Sequence, residues 1–274
     1  MSESEAAAAA NAATNSTTFE VVARAGFAMN GVLHVLIGVI SIRVATGHGG
    51  KPTEASVMTE VADLPEGFLV LWAAFLTFAA LAVWQTLEVV FGHRYRSTHN
   101  RVIQKGSSIG LTVIYIALAV ATATFALGGS DSRSRAKKSH LSLELMQTLQ
   151  GRLMLAAVGA VIFGFGVFFI VKGIRRGHRK NLKTTDGGFG TTAVILGAIG
   201  YPAKGAIVCF AGALVAYSAF AFDPSKAEGV GAVFQTMRQQ QFGPALLTAA
   251  GCGLISYGLY LGCRAKIGTM ANDY

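Results

Sequence analysis

Six stretches of the chain are free of Asp, Glu, Lys and Arg: residues 25–42, 67–87, 106–130, 153–171, 205–222 and 239–263. They run from 18 to 25 residues in length. About 20 apolar residues in a helix cross the ~30 Å hydrocarbon core of a bilayer. Backbone in lipid has to satisfy its own hydrogen bonds, which a helix does within one segment. The pattern therefore predicts an all-α integral membrane protein with six transmembrane helices. Charged residues collect between these runs and towards the two ends of the chain.

The runs repeat in pairs. The second, fourth and sixth align without gaps on the glycine that opens each, Gly67, Gly151 and Gly243. Fifteen residues on stand Ala82, Gly166 and Gly258, and seventeen on stand Trp84, Phe168 and Tyr260, which read as an aromatic belt. Twenty-one on come Glu88, Lys172 and Arg264, the first charge after each run. The segments ahead of two of these helices also echo each other, LELMQTLQG at 143–151 and AVFQTMRQQQFG at 232–243. The first, third and fifth runs align on Gly31, Gly110 and Gly205, with Gly38, Ala117 and Gly212 seven residues later; the middle copy is the weakest. Gly26 and Gly200 precede the outer two of these motifs by five residues. The unit is a two-helix hairpin present three times, in residues 20–92, 100–177 and 191–268, between tails 1–19 and 269–274.

An even number of spans returns the chain to its starting side. The copies therefore insert in the same sense, as parallel repeats about an axis along the membrane normal, and a pseudo-threefold bundle is expected. Helices in lipid associate by close backbone approach over small residues. Residues seven apart share a face, since seven is near two turns of 3.6. Gly31/Gly38, Gly110/Ala117 and Gly205/Gly212 are thus the expected helix-packing stripes. Two arrangements are open: the three odd-numbered helices meet through these stripes at the pseudo-axis, or each stripe packs on its own hairpin partner.

Charge sharpens the picture. Only 14% of residues are charged, against about 25% in a soluble domain. The net charge of +9 is distributed by loop. Arg94, Arg96, Arg101 and Lys105 follow the second run; Lys172, Arg175, Arg176, Arg179, Lys180 and Lys183 follow the fourth; Arg264 and Lys266 follow the sixth. The loop after the first run sets Lys51 against Glu54, Glu60, Asp63 and Glu66. The positive-inside rule puts both termini in the cytoplasm, although Arg133, Arg135, Lys137 and Lys138 fall on the predicted outer side. Such loops read as topology signals and as contacts with anionic lipid, not as a nucleic-acid surface. The first 18 residues have neither a basic n-region nor an apolar h-region, so they read as a tail and not a signal peptide. Cys209, Cys252 and Cys263 lie in or at the end of apolar runs and form no CxxC pair, so they behave as small apolar residues.

The chain resembles the bacterial membrane family catalogued as domain of unknown function 1206, whose members carry three tandem two-helix units. The carriers are ARAGFAMNG at 23–31, LAVWQTLEVV at 81–90, GYPAKG at 200–205, FDPSKAEGVGAVF at 222–234 and FGPALLTAAGCGLISYGLY at 242–260. The resemblance implies a basic residue just before the second glycine of the opening motif. Lys204 stands there in the third copy and Asn30 in the first. It also implies an Arg after the tryptophan, where this chain has Gln85, while Glu88 is kept. No activity comes with the family.

Ionisable residues within a membrane are functional candidates by default. His34 lies ten residues past Arg24, so about 15 Å deep at ~1.5 Å per residue. It is either a proton-sensitive or substrate-contacting site, or a neutral histidine bonded to a neighbouring helix. Its counterparts, Val113 and Val208, form no ring of histidines, so neither a metal nor another cofactor is expected. Arg24, Lys204 and Glu88 sit at the ends of their helices. They are either snorkelling side chains or a clasp in which Glu88 neutralises a cation. No nucleophile–base set, carboxylate pair or phosphate loop is present, so an enzyme is not expected. Two functions remain: a protein that organises membrane lipid, a membrane-protein partner or further copies of itself; or a transporter or channel with a path near the pseudo-axis and His34 as its proton-sensitive site.

Overall fold

The computed structural model of the chain describes residues 17–48, 52–63, 65–91, 112–113, 115–129, 140–183, 185 and 187–268. Their regular structure is helical, apart from an isolated bridge between Leu182 and Gly268. The helices are α1 (Thr17–Ala45), α2 (Glu54–Ala62), α3 (Gly67–Phe91), α4 (Tyr115–Ala126), α5 (140–146), α6 (Leu149–Ile174), α7 (Gly187–Ala221), α8 (Val230–Arg238) and α9 (Gly243–Ile267). Short 3-10 turns at Gly177–Asn181 and Pro224–Glu228 lead into α7 and α8.

Four of these helices are long and apolar enough to cross a membrane: α1 from Arg24, α6, α7 and α9. α3 and α4 are apolar over the shorter stretches Gly67–Val83 and Tyr115–Ala126. The start of the third apolar run, including Gly110, lies outside the described residues. The surface agrees with a lipid environment. α6 buries Gly151, Leu155, Gly159, Gly166 and Gly173 and exposes Leu153, Met154, Val158, Val161, Phe163 and Val167. Water would penalise such a continuous apolar face.

Each copy holds a third helix that the hydrophobic pattern did not indicate. α2, α5 and α8 are short and lie between the two long helices of their copies. They bury Val57 and Met58, Ser142 and Met146, and Ala232, Val233 and Phe234. Thr53 caps α2 by accepting from the Ser56 N–H at 3.2 Å, and Thr148 caps α6 by accepting from the Gly151 N–H at 3.0 Å. These short helices also account for the opening glycines. A Cβ on Gly67 would meet the Val61 carbonyl, on Gly151 the Leu145 carbonyl, and on Gly243 the Met237 carbonyl. In every copy that carbonyl is six residues back, where the chain turns from the short helix into the long one.

The glycine stripes of the first and third copies follow neither expected arrangement. A Cβ on Gly31 would lie 2.7 Å from the Gly258 carbonyl, and on Gly38 2.6 Å from that of Gly251, so α1 packs on α9. A Cβ on Gly205 would lie 2.7 Å from the Gly166 carbonyl, and on Gly212 2.6 Å from that of Gly159, so α7 packs on α6. The two seams use equivalent positions: the aligned glycines of an odd-numbered span, and residues eight and fifteen after the opening glycine of an even-numbered one. α1 of the first copy thus packs through its stripe on α9 of the third, and α7 of the third copy through its stripe on α6 of the second. The preceding glycine of the motif serves the hairpin instead. A Cβ on Gly26 would strike Leu81 of α3, and one on Gly200 would lie 2.5 Å from Tyr257 of α9. Leu81 and Tyr257 are themselves equivalent, fourteen residues into their helices.

The odd helices do share a core, but through bulk. Leu33, Ile37 and Ile40 of α1 pack with Ile207, Ala211 and Leu214 of α7, with Leu247 and Leu254 of α9, and with Leu118 of α4. The middle copy departs from the glycine scheme. Ala117 is exposed. α4 meets α3 through Tyr115 and Ala119 against Ala74, Phe78, Leu81 and Ala82, and the α3 counterparts of the seam glycines are Phe75 and Ala82.

Candidate functional site

Aromatic and cationic residues converge at the end of the bundle that carries the basic segments. α7 supplies Tyr201 and Lys204, and α9 supplies Tyr257, Tyr260 and Arg264. α6 supplies Phe169 and Lys172, α1 supplies Phe27 and His34, and the turn after α6 supplies His178. The glycines make this possible: Gly200 lets Tyr257 lie against the α7 backbone, and at Gly197 a Cβ would come within 2.5 Å of the His178 ring and 2.9 Å of Tyr260. Pro202 interrupts the α7 hydrogen-bond ladder by lacking an N–H, and its ring fits against Gly173 of α6.

The rings form one cluster. Tyr201 lies 5.1 Å from Tyr257 and 5.3 Å from Tyr260, centroid to centroid, both edge-on. His178 stacks on Tyr201 at 5.6 Å with an interplanar angle of 22°, and meets Tyr260 edge-on at 5.6 Å. Cations lie over these faces: Lys204 Nζ is 4.2 Å from the Tyr257 centroid and Lys172 Nζ is 5.2 Å from that of Tyr201. The Arg264 guanidinium is 4.1 Å from the Phe27 centroid. Cation–π attraction strengthens where the cation is partly desolvated. The Lys172–Tyr201 and Arg264–Phe27 pairs are again equivalent: the first charge after an even-numbered span covers the aromatic that follows the first glycine of the odd-numbered span it packs on.

Of the residues singled out from sequence, His34 and Lys204 come together. They approach one ring, Tyr257, His34 edge-on at 4.9 Å and Lys204 over its face. His34 Nδ1 lies 2.8 Å from the Asn30 carbonyl one turn earlier and donates to it as N–H. Arg24 goes elsewhere. Its Nη1 donates to the carbonyls of Ala265 and Lys266 at 2.7 and 2.6 Å, closing the end of α9, where backbone acceptors lack helical partners and the dipole favours a cation. The Glu88 side chain lies outside the described residues. Among the described residues no three of His, Cys, Asp and Glu cluster as a metal would need.

His178 is the residue that sequence reading passed over. Set in RRGHRK, it reads as part of a solvated loop, yet it is fully buried. Its Nε2–H donates to the Val194 carbonyl at 3.0 Å, and its own carbonyl accepts from the Tyr260 hydroxyl at 3.2 Å. Burial holds the imidazole pKa below its ordinary value, against the opposite pull of the Val194 and Lys172 carbonyls. Tyr260 is likewise no member of an aromatic belt at the lipid surface. It is fully buried, since its hydroxyl reaches the turn that holds His178. The one signal for His178 lay at a distance in sequence, in Gly197, the glycine that leaves room for the ring.

Comparison with known proteins agrees with the threefold repetition. The family described as Domain of Unknown Function (DUF1206) matches residues 25–92, 107–176 and 199–268. The chain is 22% identical over 244 residues to "Uncharacterized protein YxxB" of Bacillus subtilis (strain 168), with 86% of each chain covered. No solved structure matches.

Proposed function

The chain belongs to the family described as Domain of Unknown Function (DUF1206), and from that premise we propose that it is a non-enzymatic multi-pass membrane protein that organises lipid or a membrane partner. In this reading it has six spans arranged about a pseudo-threefold axis, with both termini cytoplasmic in the bacterial inner membrane. The carrying observation is the joining of the first and last helices. α1 and α9 approach to backbone contact at Gly31/Gly258 and Gly38/Gly251, by the same positions that join α7 to α6, which supports a ring of like seams. Ser41 of α1 ties the seam further, its hydroxyl donating to the Leu247 carbonyl at 2.8 Å. The aliphatic core shared by α1, α4, α7 and α9 supports a packed centre over a water-filled path.

Reconstitution tests this reading against transport. Purified protein in proteoliposomes should pass no solute or ion under an imposed proton, sodium or potassium gradient. Gradient-driven flux that His34→Ala abolishes would replace the scaffold with a transporter.

A further inference from the structure

We propose that the segment after α6, residues 175–183, is a fixed basic platform that gathers anionic phospholipid headgroups against the bundle. From Lys172 to Thr185 the chain carries six cations and no Asp or Glu. Arg175, Arg176 and Arg179 are exposed, and no carboxylate among the described residues pairs with them. Exposed apolar side chains stand beside these cations. Ile174 ends α6, and Phe189 lies in the first turn of α7 with Lys266 Nζ 5.2 Å from its ring centroid.

An orientation signal needs only the number of cations on one side. This segment also fixes their places. Arg175 closes α6, its N–H donating to the Val171 carbonyl at 2.9 Å, and the Arg176 N–H donates to that of Gly173 at 3.0 Å. His178 then turns inward and is tied twice, by its ring to the Val194 carbonyl and by its own carbonyl to the Tyr260 hydroxyl. Beyond it the Lys183 N–H donates to the Ile267 carbonyl at 2.8 Å, beside the bridge from Leu182 to Gly268. Within RRGHRK the histidine is thus buried while the three arginines are exposed. Arg176 itself is left-handed, with φ 51° and ψ 28°, at a helix-ending position that glycine fills more easily. The glycine stands one residue later. The fold alone would favour glycine at 176, which leaves the guanidinium to serve a contact outside the chain. Cations at the end of a spanning helix, with apolar side chains at their level, match the boundary where acyl chains meet phosphate. The platform rests on the scaffold reading and gives it a lipid class, headgroups with a net negative charge.

Thermal unfolding of the full-length protein in detergent tests this, with phosphatidylglycerol titrated in and phosphatidylcholine as the neutral reference. Phosphatidylglycerol should raise the transition above the reference. Salt at about 1 M should remove the difference, because charges are then screened within ~3 Å. Arg175→Gln, Arg176→Gly and Arg179→Gln should each raise the half-effect concentration about fivefold, and the triple variant about a hundredfold. In the neutral lipid Arg176→Gly should unfold no lower than wild type, because glycine suits that backbone; loss of the charge is thereby separated from loss of the fold. Arg238→Gln, at an exposed cation ahead of α9, should leave the response unchanged. No rise above the reference, a rise that survives the salt, a wild-type response in the triple variant, or an equal loss in Arg238→Gln overturns the platform. If the triple variant fails to fold, Arg176→Gly carries the comparison. Solute flux with the lipid response intact overturns the scaffold reading alone. No flux and no lipid response overturns the platform alone.

Discussion

A buried histidine inside a basic turn makes His178 the residue at which acid should act on the fold. Its ordinary pKa is 6.5 and burial lowers it in the folded protein. Below pH 6.5 the unfolded chain therefore binds a proton that the folded chain refuses, so stability falls as the pH drops through that window and is fully kept above it. Thermal unfolding of the purified protein between pH 7.5 and 5 should show this loss. His178→Gln should lower the transition temperature at pH 7.5, because the stacking on Tyr201 is gone, yet flatten its decline towards pH 5. An unchanged acid slope in the variant would remove His178 as the cause. Arg24 illustrates a different limit at this scale. Its charge and its place before the first apolar run are plain in the sequence, but its partners, the carbonyls of Ala265 and Lys266, are some 240 residues away and carry no residue-type signature.

At the scale of elements the glycines divide into two kinds. Gly38 faces backbone, with a Cβ falling 2.6 Å from the Gly251 carbonyl, whereas Gly164 of α6 has nothing within 4 Å. Gly38→Ala should cost about 1–3 kcal/mol by overpacking. Gly164→Ala should be neutral or stabilise by up to ~1 kcal/mol through helix propensity. Chemical unfolding in mixed micelles checks both, and equal effects would contradict the seam geometry. The seven-residue spacing of the stripes was legible because helix periodicity alone puts such residues on one face. Their partners were not, because Gly166 and Gly258, aligned in the sequence as small residues, say nothing about which copy they face. α2, α5 and α8 escaped the hydrophobic pattern for a related reason: nine residues or fewer carry only two or three buried side chains. The echo before Gly151 and Gly243 was their trace. The middle copy was the weakest in sequence, and α4 meets α3 without paired glycines.

For the whole molecule, the orientation proposed from loop charge is open to direct measurement. On a cysteine-free background, cysteine at position 51 or 132 should react with an impermeant maleimide on intact cells, and cysteine at 179 should react only after permeabilisation. Labelling of 51 and 179 from the same side would break the topology, and protection of 132 would make the cations at 133–138 internal. The seam between α1 and α9 also bears on how the protein is made. Gly38 enters the membrane early, while Gly251 is synthesised about 200 residues later, roughly 10–40 s at bacterial translation speeds. Until then the glycine face of α1 has only lipid to pack against. A ribosome stalled before α9 would leave a chain whose opening helix lacks its glycine-seam partner, and this seam therefore closes only once α9 has been made.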